Sequence, residues 1–193
     1  MTDLELSKNT AIFAPVYRVI GSTNIELKLR AVNEIAPITV RLADLICDPE
    51  TVSAIYNAWE AIMYRIGAII NPYSVDLSDE SYEWLKTRQL MIEGDSIALP
   101  AYLALYVQFS KDFMAYQQII ATGAIRKTSN GYAADKVSGI KDKFADINHI
   151  TTQSKTAIIV PELNAHDLEM TQSMHDIWTV GPFLEFHQIH NAG

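Results

Sequence analysis

One cysteine in 193 residues excludes an intrachain disulfide and a four-cysteine zinc site. Basic residues are also few: Lys and Arg total 15 against 23 Asp and Glu, a net charge of −8. A surface that tracks phosphates would have to form against that mean field, so nucleic acid is not an expected partner. No long hydrophobic run is present. The longest, Ile97 to Val107 interrupted only by Pro100, covers 11 residues, roughly half of what a bilayer crossing needs, and no membrane span is expected. The opening MTDLELSKNT lacks the basic-then-apolar order of a secretory leader, and with the single cysteine this makes a reducing, cytoplasmic location the expectation. Gly-x-x-x-x-Gly-Lys-Ser/Thr and Gly-x-Gly-x-x-Gly are both missing, so neither a phosphate-cradling loop nor a dinucleotide fingerprint is available. His149, His166, His175, His187 and His190 include no His-x-x-x-His or His-Glu-x-x-His pair. No metal and no other cofactor is expected. Cys47 lies among acids in ADLICDPE, which raise a thiol pKa, so it is expected as a packed small apolar side chain and not as a nucleophile.

What is present suits a globular core: 49% of the residues are hydrophobic and 20% charged. Thr10–Ile20, Asn24–Val32 and Ala36–Leu42 are short, partly alternating and rich in β-branched residues, the pattern of three strands. Asp48-Pro49 then opens a segment in which Val52, Ile55, Tyr56, Trp59, Ile62, Met63 and Ile66 recur with helical spacing, ended by Asn71-Pro72. Leu77–Lys86 reads as an exposed connection and Arg88–Glu93 as a short extended run. After Gly94-Asp95-Ser96 comes IALPAYLALYVQF, a buried helix starting at or near Ser96, with Pro100 tolerable in its first turn. Ile119–Ile125 predicts a strand, RKTSNGY a hairpin turn, Val137–Ile147 a helix, Lys155–Val160 a strand stopped by Pro161, Asn164–Met174 a helix and Trp178–Phe186 a last strand. No repeat or linker interrupts this order. The expectation is one α+β domain over 1–193, with flexible ends at 1–9 and 188–193.

Two stretches carry candidate chemistry. Gly94 permits a tight turn into a helix, and the amides that open a helix have no partner within it. Ser96 would therefore sit beside donors able to stabilise a developing oxyanion. An Asp-Ser pair ahead of an apolar helix is equally the ordinary N-cap, and spacing alone favours that reading. The second stretch is DKVSGIKDKFADI. At about 100° per residue Lys143 rides the edge of the apolar stripe of Ile140, Phe144 and Ile147, while Lys141 points to solvent. A lysine can act as a base only when neutral, which needs burial against apolar walls; a charged residue on a helix surface is the commoner use.

At these motifs the chain resembles the proteolytic domain of the Lon proteases. Glu93-Gly94-Asp95-Ser96 matches the start of the Glu-Gly-Asp-Ser-Ala-Ser segment of that family's archaeal membrane-type branch. Thr122-Gly123-Ala124-Ile125, Gly131, Ser138-Gly139-Ile140-Lys141-Asp142-Lys143, Lys155-Thr156-Ala157-Ile158-Ile159-Val160-Pro161 and Asn164-Ala165-His166-Asp167-Leu168 follow in the family's order. The likeness is clear from about Glu93 to Leu168. Ile97 and Ala98 stand where the family has small residues, Ala124 replaces a glutamate, and Pro100 is foreign to the pattern.

The resemblance implies a single Lon-type proteolytic domain with mixed sheets and packed helices. It implies a serine endopeptidase in which Ser96 is the nucleophile and Lys143 its base, Thr122 holds the lysine amine, and N–H groups around Asp95, Ser96 and Ile97 bind the oxyanion. Peptides or unfolded proteins are the implied substrates and a homo-oligomeric ring such as a hexamer the implied assembly. The chain encodes no ATPase module, so a free-standing, ATP-independent peptidase or the cutting subunit of an assembly with a separate ATPase or regulatory partner is implied. The rival expectation is an inactive domain of the same fold that serves oligomerisation or partner binding. A third, a serine hydrolase using His175 with Asp176 or Asp167, has no supporting spacing.

Overall fold

The computed structural model describes residues 10–18, 21–31, 36–67, 73–145, 155–169 and 175–190. The expected ends at 1–9 and 191–193, His149, Ile147, the helix residues 170–174 and Asn71-Pro72 lie outside them.

Two antiparallel strands begin the chain, β1 (Ala11–Arg18) and β2 (Gly21–Ala31), as the alternation predicts. The third expected strand does not form. Ile38 makes a single bridge to Val75, and Val40–Ala43 is a short helix, α1, whose first turn closes when Thr39 Oγ1 accepts from Leu42 N at 3.2 Å. The helix α2 (Pro49–Ile66) starts as predicted, with Asp48 Oδ1 accepting from Thr51 N at 2.7 Å. It stops at Gly67, left-handed at φ +70°, before the proline expected to end it.

Leu77–Lys86, expected as an exposed connection, is instead mostly a helix, α3 (Asp79–Thr87), capped by Ser78, and it is preceded by a strand that was not predicted, β3 (Tyr73–Leu77). Asp76 in β3 is fully buried. Arg30 and Arg41 both pair with it, and both reach Asp79 at 2.6 Å, so the charge is compensated where it is buried.

A 3₁₀ turn, Asp95–Ile97, leads into α4 (Ala98–Tyr106), every residue of which is buried. Pro100 falls in its first turn, where no intrahelical N–H is lost. The expected strand at 119–125 is two: β4 (Gln118–Ala121) and β5 (Ala124–Thr128), broken at Thr122-Gly123. β5 pairs with β6 (Gly131–Asp135) as the predicted hairpin. Then come α5 (Ile140–Phe144), β7 (Thr156–Pro161), α6 (Ala165–Glu169), β8 (Asp176–Val180) and β9 (Phe186–His190). One last strand was expected over 178–186. Gly181-Pro182 and the left-handed Phe183 and Leu184 fold it into an antiparallel pair instead, so residues 188–190, expected in the flexible end, pair with β8.

Among the described residues seven strands form one mixed sheet in the order β3-β2-β1-β4-β7-β8-β9, parallel from β1 through β8 and antiparallel at both flanks. Alternation sorts the side chains by face. Ile12, Ala14, Ile119, Ala121, Ala157 and Ile159 join α2 and α4 in the large core. Ile120, Ile158, Val160 and Ile177 pack with Ile140 and Phe144 of α5 and Leu168 of α6 in a smaller cluster. The chain is thus α+β, with helices on both faces of a mixed sheet. Among the described residues no helix is long and apolar enough to cross a membrane.

β1 runs alongside β4 only over Ala11–Phe13 and continues to Arg18, while β4 ends at Ala121. The space beyond the carboxyl end of β4, beside Ala14 and Pro15, is where the two helix layers can reach each other around the strand end, the position at which open α/β sheets place ligands.

Candidate active site

Gly94 takes φ +84°, a conformation only glycine adopts without strain, and turns the chain into Asp95–Ile97. The turn is pinned from α2. Asp48 Oδ2 accepts from Gly94 N at 3.3 Å, and the Thr51 hydroxyl lies 2.9 Å from the Gly94 carbonyl oxygen and 2.7 Å from Asp48 Oδ2. On its other side the turn is joined to the break between β4 and β5. Gly123 N donates to Ser96 O at 3.0 Å, and Leu99 N donates to Gly123 O at 2.9 Å. Gly123 is required there because a Cβ would meet Pro161 Cγ at 2.8 Å and Leu99 Cδ2 at 3.0 Å.

Neither the 3₁₀ turn nor α4 has a side-chain cap. The ordinary N-cap role, which spacing alone favoured for this Asp-Ser pair, is therefore not how Ser96 is used. Its half-buried side chain lines a cavity of about 230 Å³ together with Ala14, Pro15, Ile25, Met91, Ile92, Glu93, Ile97 and Lys143. Ile97, bulkier than the small residue of the resembling pattern, is buried and forms part of this wall.

Lys143 reaches the same cavity from the opposite face of the sheet. Gly139, left-handed at φ +71°, starts α5, and Ile140 and Phe144 anchor it in the smaller cluster. The helix is placed by a buried asparagine. Asn164 Oδ1 accepts from Val137 N and its Nδ2 donates to Val137 O, each at 3.0 Å, fixing the chain just ahead of Gly139. Lys143 then donates from Nζ to Thr122 Oγ1 at 3.3 Å, and Thr122 is buried at the break after β4. Lys141 is exposed, as the helical spacing predicts.

Burial lowers the Lys143 pKa from 10.5 to about 8, while the charge of Asp95 pulls it back upward. Such an amine gives up its proton near pH 8, well below where an exposed lysine does. The Asp95 carboxylate, next to the serine, is ion-paired with Arg126 of β5. A hydroxyl, an amine of depressed pKa and a second hydroxyl that holds the amine thus come together from three separate parts of the sequence.

Of the five residues to which the resemblance gives a role, Ser96, Ile97 and Lys143 line the cavity, Thr122 accepts from the Lys143 amine and Asp95 immediately precedes the serine. Sequence reasoning read Asp48 only as a helix start, named Asn164 only within a helix and a resembling block, and gave no site role to Thr51, Met91 or Arg126. Asp48-Pro49 followed by Thr51 was a readable cap, but nothing local indicated that it would also hold Gly94. His175, Asp176 and Asp167, the third candidate set, do not line the cavity; Asp176 accepts from the Tyr116 hydroxyl at 2.6 Å and Asp167 from the Asn164 amide at 3.1 Å. Cys47 is exposed, contrary to the packed position expected. Its thiol donates to Glu93 Oε1 at 3.1 Å, and that hydrogen bond raises its pKa, the direction the acidic surroundings predicted. Among the described residues no group of three or more His, Cys, Asp or Glu side chains is placed to hold a metal ion. No family model matches the chain, and no curated protein sequence matches it.

Proposed function

We propose that the chain is a serine peptidase that cleaves peptide bonds through Ser96 and Lys143. The observation that carries this reading is the shared cavity: Ser96 and a lysine of depressed pKa line the same small space, and the serine is not spent on capping its helix. In its neutral form Lys143 accepts the proton of the Ser96 hydroxyl as the oxygen attacks a substrate carbonyl. Thr122 keeps the amine aimed into the cavity, and amides of the Asp95–Ile97 turn stabilise the tetrahedral oxyanion. The amine returns its proton to the leaving nitrogen. Water, deprotonated by the same amine, then releases the acyl group and regenerates Ser96. The cavity is of side-chain size, which suits an extended, unfolded chain more than a folded surface.

With the Lon-type resemblance, this reading extends to a cytoplasmic homo-oligomeric ring, either free-standing or served by a separate ATPase or regulatory partner. The direct test is reaction with a serine-directed fluorophosphonate followed by intact-mass measurement. One adduct on the wild type, lost in both Ser96→Ala and Lys143→Ala, is expected. Folded wild type that takes no label between pH 7 and 10 would instead favour a scaffold of the same fold. Label lost in His175→Ala but kept in Lys143→Ala would favour the histidine-based hydrolase.

A further inference from the structure

Asp95 is the carboxylate nearest in sequence to Ser96, and its charge favours protonated Lys143. Left to itself, a carboxylate in that position would attract the amine and hold it charged, which is the wrong state for a base. Among the described residues, however, Asp95 pairs with Arg126 and not with Lys143. Arg126 sits in β5, opposite Ala133 of β6, and its Nε also lies 3.5 Å from Asp135 Oδ2. Its side chain is half exposed and that of Asp95 22% exposed, so the guanidinium covers the carboxylate from the solvent side.

We propose that Arg126 is a positioning residue for the reaction: by occupying Asp95 it keeps that carboxylate from capturing the Lys143 amine, which is left to Thr122 and the cavity. The inference deepens the Ser96–Lys143 reading and rests on it for its catalytic meaning. Other groups around the amine leave Asp95 as the decisive charge. The charged cavity neighbour is Glu93, which is exposed and bonded to Cys47. β1 and β2, against which α5 packs, contribute Ala14, Pro15 and Ile25 to the cavity. On α5 itself Lys141 and Asp142 are exposed; on α6, His166 is exposed and Asp167 is bonded to Asn164.

The test reads Lys143 directly, without relying on activity. Trace acetylation with acetic anhydride across a pH series, scored on the Lys143 peptide by mass spectrometry, gives the midpoint of the amine in each variant. Arg126→Gln should move that midpoint upward by about one pH unit, on the order of tenfold less neutral amine at pH 7.5. Arg126→Lys should restore most of the wild-type value, and Asp95→Asn in the Arg126→Gln background should bring the midpoint back to wild type or below. Fluorophosphonate labelling of Arg126→Gln should fall by the same factor at pH 7.5 and recover at higher pH, a displaced profile that a purely structural role would not produce. An unchanged midpoint in folded Arg126→Gln overturns the proposal, and so does a loss of labelling that is equal at every pH. Wild type that fails to label refutes the peptidase reading alone, because the acetylation midpoints still decide what Arg126 does to Lys143.

Discussion

Replacing Lys143 with methionine should make the folded chain more stable at neutral pH while destroying the proposed activity. The unfolded chain keeps its lysine proton up to about pH 10.5, whereas the folded chain releases it near 8 because the amine is buried. Below pH 8 both states are protonated and folding carries the whole cost of burying the charge. Between 8 and 10.5 the unfolded state holds more protons, so wild-type stability rises with pH, and above 10.5 the cost is gone. The displacement corresponds to about 3 kcal/mol. Methionine has a similar length and no charge, so it removes this cost, but it also removes the donor to buried Thr122, a loss of about 1 kcal/mol. The net expectation is a gain of about 2 kcal/mol at pH 7, or roughly 4–8 °C in Tm for a chain of this length. It should reverse to a loss of about 1 kcal/mol above pH 10.5, where only the missing hydrogen bond remains. Urea unfolding of wild type and variant in parallel across pH 7 to 11 measures the difference and cancels every other titrating group. A difference that stays constant over that range would refute the assignment of a depressed pKa to this amine.

The rate of fluorophosphonate labelling at Ser96 should climb about tenfold per pH unit below a midpoint near 8 and level off above it, because the neutral amine is the active form; a flat profile from pH 6 to 9 would exclude Lys143 as the base. Asn164→Ala removes both bonds to Val137 and leaves two half-buried backbone groups without them, so a loss of about 1–2 kcal/mol in urea unfolding and slower labelling are expected together. Gly123→Ala forces a methyl against Pro161 and Leu99, and should lower stability by about 1–3 kcal/mol as judged by thermal unfolding.

The elements that were legible in the sequence are those specified locally. α2 announced itself through Asp48-Pro49 and a long apolar stripe, and the β5–β6 hairpin through its polar turn. Two of the failures have a cause that lies at least partly far along the chain. Ala36–Leu42 looks like a strand, yet Thr39 closes a helical turn and Arg41 is drawn to Asp76 and Asp79. Tyr73–Leu77 hides because a buried strand that contains an aspartate violates the apolar pattern, and Arg30 and Arg41 make it tolerable. The site divides in the same way. Ser96, Thr122 and Lys143 lie in short motifs that can be read in order, and the helical spacing correctly separated Lys143 from Lys141. Arg126 sits in unremarkable surroundings, and Asn164, although it opens one of the resembling blocks, carried no role that could be read from them; both gain their meaning from partners, 31 and 27 positions away.

The two backbone hydrogen bonds at Gly123 give the site an unusual mechanical property. Because Ser96 and Leu99 are both stitched to this one residue, and Thr122 is its covalent neighbour, the serine cannot slide without dragging along the threonine that grips the amine. Those three behave as one rigid block, with the lysine helix as the separate jaw. The lysine, by contrast, is held in register through the two Asn164 bonds to Val137 at the root of α5, so its placement depends on a part of the chain that the Gly123 bonds do not reach.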